Sequence, residues 1–159
     1  MGNYQSFLKR SVLAFIVCVL VAQPVGAIAG AGDLDGEFLR AVIHADLDTV
    51  RRLFRIGADV DARDKYGKTA LMWAVIKEKI DVVEFLVGEG ADVNSRDGEL
   101  TTPLMWAVVT GNIDIVRSLI GSGADIAARD SRGETAIMMA RKRGHEAIVD
   151  MLNGSAGGQ

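Results

Sequence analysis

Asp64-Lys65-Tyr66-Gly67-Lys68-Thr69-Ala70-Leu71-Met72-Trp73-Ala74-Val75 is answered 33 residues later by Asp97-Gly98-Glu99-Leu100-Thr101-Thr102-Pro103-Leu104-Met105-Trp106-Ala107-Val108. The close of the unit returns as well, as Gly57-Ala58-Asp59-Val60, Gly90-Ala91-Asp92-Val93 and Gly123-Ala124-Asp125-Ile126. A fixed period of this size marks a stacked-repeat architecture. Sliding the frame both ways gives four copies. Phe38, Leu71, Leu104 and Ile137 fall in one column, and Ala41, Ala74, Ala107 and Ala140 in another. Val50, Val83, Val116 and Val149 form a third, and Leu53, Leu86, Leu119 and Leu152 a fourth.

The pattern explains why the copies must stack. Ala70-Leu71-Met72-Trp73-Ala74-Val75-Ile76 is apolar nearly all round, so a helix there needs cover on most sides. The next segment is amphipathic: Val82, Val83, Phe85 and Leu86 can face inward while Asp81, Glu84 and Glu89 stay wet. One copy cannot bury both segments alone, and neighbours that share a core can. The alanine column lets helices approach closely.

These residues resemble the ankyrin repeat. Thr102-Pro103-Leu104 matches the start of that family's T-P-L-H-x-A signature, and Gly144-His145 with Ile148-Val149 matches its second-helix opening. The resemblance covers residues 34–153. It implies an all-α repeat solenoid of about four repeats, at 34–63, 64–96, 97–129 and 130–153, each a helix-turn-helix with a hairpin finger. The signature His is replaced by Met72, Met105 and Met138. In the family that His links neighbouring repeats by hydrogen bonds, so thioether packing is expected in its place.

The punctuation agrees. Thr102 suits a helix N-cap and Pro103 the first helical position, where its missing N–H costs nothing. Gly111 and Gly144 end first helices where a left-handed residue is wanted, and Glu78 in the same column should be strained. Gly57, Gly90 and Gly123 end second helices. Asp35 or Gly36 is expected to cap the first helix, and 154–159 to form a flexible tail. Arg40 stands where repeats two and three have Trp73 and Trp106, and Arg141-Lys142-Arg143 replaces Val75-Ile76-Lys77, as terminal caps require.

Ahead of the repeats, Lys9 and Arg10 precede an unbroken apolar run of 11 residues, Val12 to Ala22, and then Ala27-Ile28-Ala29. Charged, apolar and small-residue parts in that order predict a signal peptide over 1–29. The rival is an uncleaved membrane anchor, for which the run falls short of the roughly 20 residues that span a bilayer. Both readings put the repeats outside the cytoplasm, in a periplasm or secreted. Met1-Gly2-Asn3-Tyr4-Gln5-Ser6 fits a myristoylation pattern, but the apolar run behind it favours export.

The chain has 159 residues and a formal net charge of −3. Beyond residue 29 it carries 21 acids against 16 bases, which argues against a nucleic-acid partner. Cys18 is the only cysteine, so no disulfide framework or cysteine zinc site is expected. Of the two histidines, His145 sits at the second-helix opening, where the family pattern implies a structural role. His44 near the end of the first helix alone makes neither a base nor a metal site. Gly88-Glu89-Gly90 and Gly121-Ser122-Gly123 begin like a dinucleotide fingerprint but follow helices and lack the third glycine. No nucleophile–base pair is visible, so no enzyme activity, metal, cofactor or small-molecule substrate is expected.

What remains is binding to another protein. The resemblance implies the concave side, built of finger tips and exposed first-helix positions. In repeat two these are Lys65, Tyr66, Lys68, Ile76 and Lys77; in repeat three, Glu99, Thr101, Val109 and Thr110. In repeat four they are Ser131, Arg132, Glu134, Lys142 and Arg143. Trp73 and Trp106 read as core and inter-repeat packing, since both lie inside apolar runs. Arg63, Arg96 and Arg129 form a column, each followed by an aspartate. Two readings of it stay open: local ion pairing, or a ladder for an acidic partner. The role could be that of a scaffold or accessory factor of an envelope enzyme, an inhibitor or immunity protein against a toxin, or a secreted effector.

Overall fold

The computed structural model describes residues 31–156. The leader over 1–29 lies outside the described residues. Eight helices fall within them: α1 (Ala31–His44), α2 (Leu47–Arg55), α3 (Ala70–Ile76), α4 (Ile80–Gly88), α5 (Pro103–Thr110), α6 (Ile113–Gly121), α7 (Ala136–Arg143) and α8 (Glu146–Ala156). They form four antiparallel pairs in chain order. The first helices α1, α3, α5 and α7 each pack on the next, and α4, α6 and α8 form a second layer beside them. This is the all-α repeat fold that the period implies. None of these helices is long and apolar enough to cross a membrane.

The four columns are the core. Phe38, Leu71 and Leu104 are fully buried, as are Ala74, Ala107 and Ala140. Burying each such Leu or Val stabilises by about 1.5–3 kcal/mol relative to exposure. At the outer layer Phe54 of α2 meets Phe85 of α4 edge-on, 5.9 Å between ring centres, with the Arg51 guanidinium over Phe85.

The first helices begin alike. Thr69, Thr102 and Thr135 each accept the backbone N–H three residues on, at 3.3, 3.3 and 3.4 Å. Their ends are alike too. Ala45, Glu78, Gly111 and Gly144 all have positive φ, at 58°, 57°, 79° and 73°. Glu78 is therefore in the strained conformation expected of it, at a cost of about 1–2 kcal/mol.

Three expectations need correction. Met72 and Met105 are buried between repeats, but Met138 is 49 % exposed. Its column faces the following repeat, and α7 belongs to the last one described. Asp35 and Gly36 do not cap α1, which already runs from Ala31. Instead the Asp35 carboxylate accepts the Asp59 N–H at 3.0 Å and ties α1 to the exit turn of its own repeat. Asp61 and Asn94 do the same for Asp92 and Asp125 across repeat boundaries. Finally, α8 continues to Ala156, past the boundary at 153.

Candidate protein-binding surface

Three hairpin fingers project between the helix pairs, with turns at 64–68, 97–101 and 130–134, and one aspartate organises each. Oδ1 of Asp64 accepts the N–H groups of Tyr66 and Lys68 at 2.8 and 2.9 Å. Asp97 accepts those of Glu99 and Thr101, and Asp130 those of Arg132 and Glu134. The second carboxylate oxygen reaches the first helix. The indole N–H donates to it from Trp73 at 3.1 Å in repeat two and from Trp106 at 3.2 Å in repeat three. Both indoles are half-buried, packing on the core as expected and also steering the finger.

Repeat four has Met139 in that column and no indole to donate. Arg132 takes its place, with Nε and Nη2 donating to Asp130 Oδ2 at 3.2 and 3.1 Å. Burial pushes the Asp130 carboxyl up. The Glu134 N–H, the Arg132 side chain and the Arg132 N–H outweigh it and hold the group below the ordinary aspartate value. The same hydrogen bond to Asp130, with its charge, raises Arg132 further.

Among the described residues the arginine column makes no ion pair with the aspartates beside it and bonds backbone carbonyls instead. Arg63 donates to the carbonyls of Gly67 (3.2 Å) and Arg96 (2.8 Å), and Arg96 to that of Arg129 (3.3 Å). Arg129 donates to Gly133 O at 2.7 Å. The column stitches fingers to one another, because the aspartates beside it are already taken up by turn N–H groups and by Trp73, Trp106 and Arg132. Backbone bonds add to the stitching: Gly98 N–H donates to Tyr66 O, and Ser131 N–H to Glu99 O.

On this frame the expected contact residues separate into groups. Glu99, Thr101, Val109, Arg132, Glu134, Lys142 and Arg143 line one groove of about 270 Å³ between repeats three and four, with Trp106 and Met139. Lys65, Tyr66 and Lys68 gather separately at the finger of repeat two. Ile76, Val109 and Thr110 are half-buried, and the Thr110 hydroxyl donates back to Ala107 O. Lys77 is exposed. Thr101 is only 8 % exposed, so its side chain offers little to a partner.

Lys68 is half-buried and has close neighbours within the chain. Its ammonium stands 3.7 Å from Asp97 Oδ2, 5.1 Å from the Trp106 ring centre and 5.7 Å from that of Tyr66. It is a strut between two fingers. Tyr66 remains 60 % exposed, with Lys65 on its ring at 5.0 Å.

Leu100 was missed. It takes φ 60° in the column where Gly67 has 78° and Gly133 has 77°, and it is 44 % exposed. In all three fingers this residue donates its N–H to the aspartate carbonyl, so the turn is the same. The 33-residue register, Gly-Leu-Gly, was the available signal.

Among the described residues no group of three His, Cys, Asp or Glu could hold a metal ion. His44 is exposed, and the ring of His145 lies against the Gly111 backbone. A family model described as ankyrin repeats (3 copies) matches residues 38–130 and, overlapping, 104–156. A search of curated proteins finds no match to the chain.

Proposed function

The chain belongs to the ankyrin-repeat family, and from that premise we propose that it acts outside the cytoplasm as a non-enzymatic module binding a partner protein through its concave face. Ankyrin repeats generally mediate binding to other proteins, and they are generally not enzymes. The observation that carries the reading is the groove between repeats three and four. It brings together seven of the side chains that the resemblance had marked as contacts. Trp106, Val109 and Met139 line it together with charged side chains, and protein interfaces likewise combine apolar and polar contacts. Fold alone does not name the partner, since repeat proteins keep the frame and vary the surface.

Two measurements test the proposal. Mass spectrometry of the exported chain should give an N-terminus at Gly30, while Met1 retained in a membrane fraction would show an anchor instead. Capture from the cell's own envelope should return a partner with the wild-type repeats. The same partner should be lost with Lys142→Glu/Arg143→Glu. Equal capture by the variant would contradict the assignment of the surface.

A further inference from the structure

Resting on that reading of the groove, we propose that its occupant is an acidic, extended peptide segment carrying one large apolar side chain, anchored on Leu100. Charge on this chain is segregated. In repeats two to four, the fingers and first helices (63–78, 96–111, 129–144) carry ten bases against six acids. The second helices and exit turns (79–95, 112–128, 145–156) carry two bases against eight acids. A chain of net charge −3 therefore presents a basic face to whatever enters between fingers and first helices. Fields of this kind steer a partner of opposite sign and reject the same sign.

Within the groove three bases, Arg132, Lys142 and Arg143, stand against two acids, Glu99 and Glu134. Glu134 is already neutralised by Arg132 at 3.6 Å and Lys142 at 3.2 Å. Arg143 makes no ion pair among the described residues and is exposed. At about 270 Å³ the groove lies below the roughly 300–1,000 Å³ of small-molecule sites. It fits one or two side chains of a segment lying across it. A lipid surface would meet the same cations, but a bilayer is flat and these line a recess.

Leu100 supplies the apolar contact. It does not line the groove itself but stands exposed beside it, in the finger turn between Glu99 and Thr101, which do. Glycine makes the same turn at Gly67 and Gly133 without a Cβ to strain. Leucine here is left-handed, exposed and unfavourable to the fold. Strain held at an exposed site is the pattern of a residue kept for contact. The consequence is a pair of opposite effects from one substitution: Leu100→Gly should make the chain more stable and the groove a poorer binder.

The experiment pans a random 12-residue peptide library over the full exported chain. Recovered sequences should be enriched in Asp and Glu around one large apolar residue. Their affinity should fall at least tenfold on Lys142→Glu/Arg143→Glu and at least tenfold between low and high salt. Leu100→Gly should weaken them about fivefold or more while raising the melting temperature. Peptides without acidic enrichment, or binders indifferent to these substitutions, would overturn the proposal. So would stronger binding to phosphatidylglycerol vesicles than to any recovered peptide. An envelope partner that engages the groove through a neutral or basic segment would overturn it too, while leaving the binding-module reading intact.

Discussion

The indole of Trp106 donates to Asp97 Oδ2 at 3.2 Å, and Asp97 is the residue that folds the finger of repeat three. The bond spans nine residues and couples a first helix to the finger in front of it. Repeat four reaches the same end with Arg132, which registers with Glu99. Two solutions to one requirement make a transplant possible. Trp106→Met should cost about 1.5–3 kcal/mol for the lost bond to a charged acceptor, beyond any packing loss. Adding Glu99→Arg should restore part of that cost, although Glu99→Arg alone should do little. Urea denaturation of the four proteins gives the coupling, and strict additivity would show that the arginine does not replace the indole.

Lys68 and Tyr66 are neighbours with opposite expected behaviour. Lys68→Glu puts a second carboxylate beside buried Asp97 and removes the cation over Trp106. It should destabilise on the order of 1–2 kcal/mol. Tyr66→Ala, at an exposed tip, should move stability by less than about 0.5 kcal/mol. Equal melting temperatures for the two variants would contradict the strut.

The helix-end column gives opposite signs at two positions. Glu78→Gly relieves a left-handed glutamate and should stabilise by about 0.5–1 kcal/mol. Its only recorded side-chain bond there is a long one, 3.4 Å from Asn112. Gly111→Ala should destabilise, because a Cβ at φ 79° would lie 2.5 Å from His145 Cε1. A melting-temperature change of the same sign for both would be inconsistent with the shared geometry.

Acid should weaken the fold through Asp130 and Asp46. Burial raises the Asp130 carboxyl, but its bonds to Glu134 and Arg132 hold it below the ordinary 3.8. Asp46 is lowered by its side-chain and backbone bonds with Thr49. A carboxyl lowered in the folded state stabilises fully above its unfolded value and loses that contribution as pH falls through the folded one. Stability should therefore hold above about pH 5 and decline below about pH 4. Asp130→Asn should be less stable at neutral pH and show a shallower decline. Urea midpoints measured from pH 2.5 to 7 decide it, and parallel profiles would remove Asp130 as a contributor.

Repeat periodicity made most of the fold legible. Phe38, Leu71 and Leu104 align because each fills the same gap between two helices, and such gaps recur by construction. What periodicity conceals is where the recurrence stops. Met138 carries the sequence of Met105 into the last described repeat, with none described after it, so burial fails there. It also conceals competition for partners. Arg63, Arg96 and Arg129 stand beside aspartates in sequence, yet indoles and turn N–H groups take up two of the three carboxylates beside them. The third goes to Arg132. Lys68 and Thr101 illustrate the same limit at the site, since exposure of a registered position depends on its neighbours across the repeat. Leu100 was readable from its own column and was passed over, because the glycines around it define a φ that leucine only reveals in three dimensions.

The most direct test of the account is a photocrosslinking amino acid placed at Arg143 or at Arg117 in the living cell. Arg143 lines the groove between fingers and first helices, whereas Arg117 lies on the second helix α6 and pairs with Asp114 at 2.9 Å. The account predicts a discrete crosslinked protein product from position 143 and none from position 117. A product from position 117 alone would place the partner on the opposite face and contradict the account.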